Sequence, residues 1–322
     1  MRRPFPAACL LLTLCFPAAA TTYARGWFES PQLGPIAPVY VCPMHPDATA
    51  ARPGMCPRCG MALVVMDPFD AREYHVAVQT EPRAVRPGEP FRLQITVREP
   101  VTRAVVRDFA TVHDKRYHLF VISQDLEYYA HVHPEQQSDG AWTLDLTVPR
   151  AGYYKLYSDF LPVGGTPQVV ALPFVTAGFR GDLASSGAAL RPDRVLNKNV
   201  GDMTVAISLP EGGFVAGREE TFACHLTERR GGAPITDIEP YLAAWGHTLV
   251  MSEDTQSVVH AHPVELVPAG DPAARGGPTI TFKALFPKAG RYRLWTQLKR
   301  HDEVVTAVFT VDVVSPTSAA RY

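Results

Sequence analysis

The sequence predicts a mainly β protein, in which a small cysteine- and histidine-bearing metal module precedes two tandem β-sandwich domains. Three observations carry that prediction. Proline and glycine contribute 30 and 23 of the 322 residues, a density that suits short strands joined by turns and opposes long helices. Apolar residues alternate with polar ones in short runs, as at Phe91, Leu93, Ile95 and Val97 or at Trp142, Leu144 and Leu146, the period of a half-buried strand. The chain also repeats itself: a shift of 129 residues lays Tyr74–Pro134 on Met203–Pro263 without a gap, the mark of a duplicated domain.

Taken in chain order, residues 1–20 read as a cleaved signal peptide. Arg2 and Arg3 form a basic start, Ala7 to Phe16 a short apolar run, and Ala18 to Ala20 the small residues a peptidase needs. That apolar run is about half the ~20 residues required to span a bilayer, and no later stretch reaches that length, so a periplasmic or secreted protein without stable membrane insertion is expected. Residues 21–38, with Pro31, Pro35 and Pro38, read as a linker. The metal module is expected at 39–69, the first sandwich at 70–176, a second linker at 177–200, the second sandwich at 201–315 and a tail at 316–322.

Composition narrows the function. Hydrophobic residues make up 46% and charged residues 20%, enough apolar material for real cores. The 31 basic and 32 acidic residues leave a net charge of −1, which argues against a nucleic-acid partner. Beyond residue 20 the cysteines are Cys42, Cys56, Cys59 and Cys224, too few for a disulfide scaffold even in an oxidising compartment.

The repeat pairs more than apolar positions. His118, Ser123, Asp125, His131 and His133 fall on His247, Ser252, Asp254, His260 and His262, and the set Leu93, Ile95, Val97 falls on Phe222, Cys224, Leu226. Cys224 is therefore expected as a buried core thiol. After a nine-residue insertion near Val267–Gly277, the run from Pro149 to Gly152 meets that from Pro287 to Gly290, each leading into an aromatic-rich strand. About seven strands per copy is the pattern of a sandwich, and strand count leaves immunoglobulin-like and cupredoxin-like topologies open.

Three of the cysteines crowd into eighteen residues. Cys56 and Cys59, two residues apart, can place both sulfurs on one metal, and Cys42 with His45 can complete four ligands. Met44, Met55, Met61 and Met66 are four of the chain's seven methionines; thioethers beside thiolates favour soft Cu(I) or Ag(I). A Cys56–Cys59 disulfide and a structural zinc are the competing readings. The residues Tyr40, Cys42, Pro43, Met44, His45 and Pro46, then Pro53, Gly54, Cys56, Pro57, Cys59, Gly60 and Met61, resemble the heavy-metal-binding domain of copper/silver efflux adaptors and of copper-transporting P-type ATPases. The resemblance implies metal handling through Cys42, His45, Cys56 and Cys59, with Met44 and Met61 nearby, and says nothing about residues 70–322.

Each repeat carries H-x12-H-x-H-P. A hairpin paired symmetrically about Asp125 and Leu126 sets His118 opposite His133 with His131 on the same face. The second copy does likewise with His247, His260 and His262. Three imidazoles at one end of a hairpin can supply three ligands to Cu(II), Zn(II) or Ni(II), whereas a slip of one residue in register removes the convergence. That face also carries Phe120, Ile122 and Tyr129, so it is expected to look into its own sandwich core with the histidines at the rim. His113, replaced by Leu242 in the second copy, is either a fourth ligand or a surface residue. These segments, with the turn at Gly164–Pro167, are similar to bacterial secreted proteins that carry duplicated sandwiches beside a heavy-metal module.

Three functions fit these residues. The first is an exported heavy-metal-binding protein that sequesters or delivers copper, Cu(I) at the cysteines and Cu(II) at the histidines, with an efflux or delivery protein as partner and zinc as the alternative metal. The second is a copper or zinc enzyme with an open three-histidine site, for which no acid/base pair, nucleophile motif or cofactor fingerprint is evident. The third is a structural or adaptor protein whose domains are braced by metal.

Overall fold

A computed structural model of the chain describes residues 39–42, 48–57, 60, 62–66, 73–182, 187–268, 271 and 273–316. The expected signal peptide, the first linker and nearly all of the tail lie outside the described residues. In the module, β1 (Val39–Val41) lies between β2 (Thr49–Ala50) and β3 (Val64–Met66), antiparallel to both. Cys42 and Cys56 are its buried centre, packed against Ala48 and Leu63.

The first sandwich comprises β4 (His75–Glu81), β5 (Phe91–Arg98), β6 (Tyr117–Ser123), β7 (Tyr129–Val132), β8 (Glu135–Gln136), β9 (Trp142–Leu146), β10 (Tyr153–Phe160) and β11 (Gln168–Val175). One sheet runs β4-β5-β9-β8 and the other β11-β10-β6-β7. That is the A-B-E-D and G-F-C order of an immunoglobulin-like sandwich, with one added edge strand beside C. The second sandwich comprises β12 (Asn197–Val200), β13 (Met203–Ser208), β14 (Phe214–Val215), β15 (Glu219–Glu228), β16 (His247–Ser252), β17 (Val258–Ala261), β18 (Thr279–Leu285), β19 (Gly290–Arg300) and β20 (Glu303–Val314). Its sheets, β12-β13-β15-β18 and β14-β20-β19-β16-β17, keep the A-B-E and G-F-C order and the strand beside C, with β12 added beside A and β14 beside G. Among the described residues the copies thus have eight and nine strands, and β12 takes up the end of the stretch read from sequence as a linker.

The alternation read from sequence is the alternation of burial. Phe91, Leu93, Ile95 and Val97 of β5 are all buried, as are Phe222, Cys224 and Leu226 of β15. Sealed in that core, the Cys224 thiol has its pKa pushed up to about 12 by burial. Both copies carry the tyrosine corner of immunoglobulin-like folds: the Tyr154 hydroxyl donates to the Arg150 carbonyl and the Tyr292 hydroxyl to the Lys288 carbonyl, each at 2.8 Å.

One expectation is corrected. All seven residues of β6 are buried, because both faces of its sheet are covered. Leu119 and Val121 face their own sandwich core. Phe120 and Ile122, on the histidine face, instead point outward and meet the second domain, where Leu249, Met251 and Trp295 present the equivalent face of β16 and β19. Tyr129 stacks on Trp295 at 4.9 Å, the Tyr157 hydroxyl donates to the Thr255 carbonyl at 2.9 Å, and Leu190 of the connecting segment closes the cluster. The histidines therefore lie between domains, beyond the sandwich cores. Trp295→Ala should lower stability by about 3–5 kcal/mol, read as a reduced midpoint of urea unfolding.

Candidate metal centre

In the module, the described residues bring Cys42 and Cys56 into its interior, 0% and 2% exposed. Cys42 N–H donates to the Ala48 carbonyl, and Gly60 N–H to the Cys56 carbonyl. His45, Cys59, Met44 and Met61 lie outside the described residues.

The histidine hairpins have the register the sequence predicts. Leu119 pairs with Val132 and Phe120 with His131, so His118 stands opposite His133. Thr248 pairs with Ala261 and Leu249 with His260, so His247 stands opposite His262. The register comes from a turn built twice. The Ser123 hydroxyl donates to Asp125 and accepts from Tyr128 N–H, and Ser252 does the same with Asp254 and Ser257. His118, His131 and His133 form one group and His247, His260 and His262 another, with one ring nitrogen from each residue within 4.8 Å of the others in its group.

Hydrogen bonding fixes which nitrogens face inward. His118 Nε2 lies 2.9 Å from the Val112 carbonyl; a carbonyl only accepts, so Nε2 carries the proton and Nδ1 is bare. His131 Nδ1 donates to Gln297 Oε1 at 2.9 Å, which leaves Nε2 bare. Those two bare nitrogens are 3.0 Å apart, and His133 Nε2 is 3.2 Å from His118 Nδ1. The second copy repeats the arrangement for its first two histidines. His247 Nε2 donates to the Tyr241 carbonyl at 2.9 Å and His260 Nδ1 to Asp159 at 3.2 Å, so His247 Nδ1 and His260 Nε2 face each other as lone pairs at 3.2 Å. Opposed lone pairs repel, and a cation binding both at about 2.0–2.1 Å relieves them. The residues present fit a metal ion.

Tight turns supply the acceptors. Val112 and Lys115 exchange backbone bonds around His113 and Asp114, at φ 50° and 60°, and Tyr241 and Ala244 do so around Leu242 and Ala243, at φ 51° and 59°. Both φ values positive is the backbone of a type I′ turn. His113 is 8% exposed, which excludes its reading as a surface residue; it lies flat on His262 with ring centres 3.6 Å apart.

Sequence reasoning missed Asp159 and Gln297. They occupy equivalent positions of the repeat on β10 and β19, paired with His118 and His247 in their own sheets. Polar side chains in two aromatic-rich strands were the only available signal, and that signal does not say which domain they serve.

Burial, and then the neighbouring imidazoles, hold His113, His131, His247, His260 and His262 well below the ordinary histidine value. Burial also lowers His118, against the raising effect of Asp159, and brings His133 down to about 3. Neutral imidazoles are the form that binds metal. In the unfolded chain the same residues protonate near pH 6.5. As pH falls below that value the unfolded state binds more protons than the folded one, so folded stability is lost on acidification. After chelation, urea midpoints should decline between about pH 7 and pH 5 and be level above pH 7; a midpoint unchanged down to pH 5 contradicts buried neutral imidazoles.

Comparison with known proteins follows this division. The family described as a domain of unknown function (DUF8832) matches residues 70–177 and again 198–315. The family described as a heavy metal binding domain matches residues 39–65. A copper-transporting P-type ATPase of Rhizobium leguminosarum bv. viciae is 56% identical over 32 residues, 10% of this chain and only 4% of the ATPase. Among solved structures, the Escherichia coli adhesin FdeC is similar over 78% of this chain and 67% of its own, at 9% identity and TM-score 0.24. InvD of Yersinia pseudotuberculosis is similar over 74% and 57%, at 14% identity and TM-score 0.23. No helix among the described residues is long and apolar enough to cross a membrane.

Proposed function

The chain belongs to the family of the domain of unknown function DUF8832 and carries a heavy metal binding domain at residues 39–65, and we propose that it is an exported copper-binding protein that sequesters the metal or hands it to an efflux or delivery partner. One observation carries the reading for the larger part of the chain. In each sandwich two bare, buried imidazole nitrogens oppose each other at 3.0 and 3.2 Å, an arrangement a bound cation stabilises and water-excluded lone pairs alone do not.

Copper is the metal that suits both ligand sets. Thiolates and thioethers at Cys42, Cys56, Cys59, Met44 and Met61, with His45, favour Cu(I), while the imidazoles of His118, His131, His133, His247, His260 and His262 favour Cu(II). Zinc at the imidazoles is the competing outcome. Export through residues 1–20 follows from their basic start, apolar run and small-residue end.

Metal analysis of the purified protein tests the reading. Loaded with copper, the intact chain should hold about three ions. Deletion of 39–66 should remove the tightest Cu(I), and His131→Ala with His133→Ala should lose one of the two Cu(II) ions while keeping the second triplet's ion and the module's. If the deletion variant binds no metal, the histidines are structural and the reading fails for residues 70–315. Equal loading of zinc from an equimolar mixture would overturn copper as the metal of the histidine sites.

A further inference from the structure

The two triplets are held in place crosswise. His131 of the first domain is oriented by Gln297 of the second, at 2.9 Å, and His260 of the second by Asp159 of the first, at 3.2 Å. Each holder pairs in its own sheet with its own domain's first histidine, yet its polar group is turned to the other domain. A third brace runs the same way. Neither ring nitrogen of His262 has a hydrogen-bond partner, and its ring rests on His113 of the first domain, 3.6 Å away and 11° from parallel. Rings also meet across the boundary: His131 and His260 are 5.5 Å apart, little more than the widest separation within a triplet, 5.3 Å for His118 and His131. Contacts that exchange in this reciprocal way are those of a two-fold interface, here between the halves of one chain.

The geometry points to a single interdomain centre for two metal ions, one in each triplet, in which each domain orients the other domain's ligands. It rests on the reading above that the triplets bind metal. An acceptor behind a ligating imidazole fixes its tautomer and ring angle, and removing such a partner weakens metal binding about 10–100-fold. Gln297 is thus the positioning residue for the ion of the first domain, and Asp159 with His113 for the ion of the second. The two sites are unequal by construction. A carboxylate stands behind His260 and a neutral amide behind His131, so the second-domain triplet fills first. Its cation then repels the next across a short, water-poor gap, and the affinities separate by about tenfold or more.

The test uses the full chain with Cys42→Ser, Cys56→Ser and Cys59→Ser, so that thiolates neither bind nor reduce the probe, titrated with Cu(II) alone. The first equivalent should give an isolated Cu(II) electron paramagnetic resonance signal with nitrogen couplings. The second should broaden or abolish it through coupling between the ions. Gln297→Ala should weaken the second equivalent about 10–100-fold and leave the first unchanged, and Gln297→Glu, which keeps an acceptor, should restore it. Two equivalents without coupling, a single equivalent, or a Gln297→Ala that leaves the second equivalent intact each overturns the shared centre. A weakened ion in a Gln297→Ala, His131→Ala, His133→Ala chain does so too, because that ion sits in the domain of the mutated residue. No copper bound at any ratio instead overturns the assignment of the histidines as ligands, which separates failure of this inference from failure of the reading beneath it.

Discussion

The hairpin turn after β6, and its copy after β16, is the constraint on which the rest depends. A serine hydroxyl donating to the aspartate two residues on fixes the pairing of Leu119 with Val132 and of Leu249 with His260. A slip of one residue would turn His118 or His247 into its own sandwich core. Each turn also contains a non-glycine residue at positive φ, Leu126 or Thr255, both at 59°, a conformation that L-residues resist. Packing between the domains holds it. Leu126 is buried in the shared cluster, and the Thr255 carbonyl accepts from the Tyr157 hydroxyl. Register makes the interface, and the interface in turn secures the register.

The interface also sets the electrostatics of the histidines. A single domain would leave Phe120, Ile122, Tyr129 and Tyr157 on an open sheet face, and large apolar side chains gain about 1.5–3 kcal/mol each when buried. That gain brings the imidazoles out of water as well. Dehydration keeps them neutral, and neutrality turns their inward nitrogens into opposed lone pairs. The apolar cluster and the polar centre are therefore one construction: aromatic and aliphatic contacts supply the stability that dehydrating the imidazoles opposes.

Much of this was legible in the sequence because it is written in local periods. Alternation on β5 and β15 marked the core, the 129-residue repeat marked the duplication, and symmetric pairing about Asp125 and Leu126 put three histidines together correctly. What could not be read was the occupant of the opposite side. The alternation in β6 shows two apolar faces but not which one meets a second domain, so Phe120 and Ile122 looked like interior residues of their own sandwich. Asp159 and Gln297 were hidden for the same reason: strand pairing places them beside His118 and His247, while the atoms they bind belong to a domain more than 100 residues away in the chain. The immunoglobulin-like topology depended on strand order, which non-local pairing decides.

Cys224 has a role that consists of doing nothing. Thiol–disulfide exchange and soft-metal capture both proceed through thiolate, and a thiol with 0% exposure and a pKa near 12 supplies almost none. Beyond residue 20 the only other cysteines are Cys42, Cys56 and Cys59, all within residues 39–65. The two sandwiches therefore offer them no reactive rival, whether for an incoming ion or as a partner for wrong pairing. The one thiol of the sandwiches is carried as inert filling, and it leaves sulfur chemistry to the segment before them.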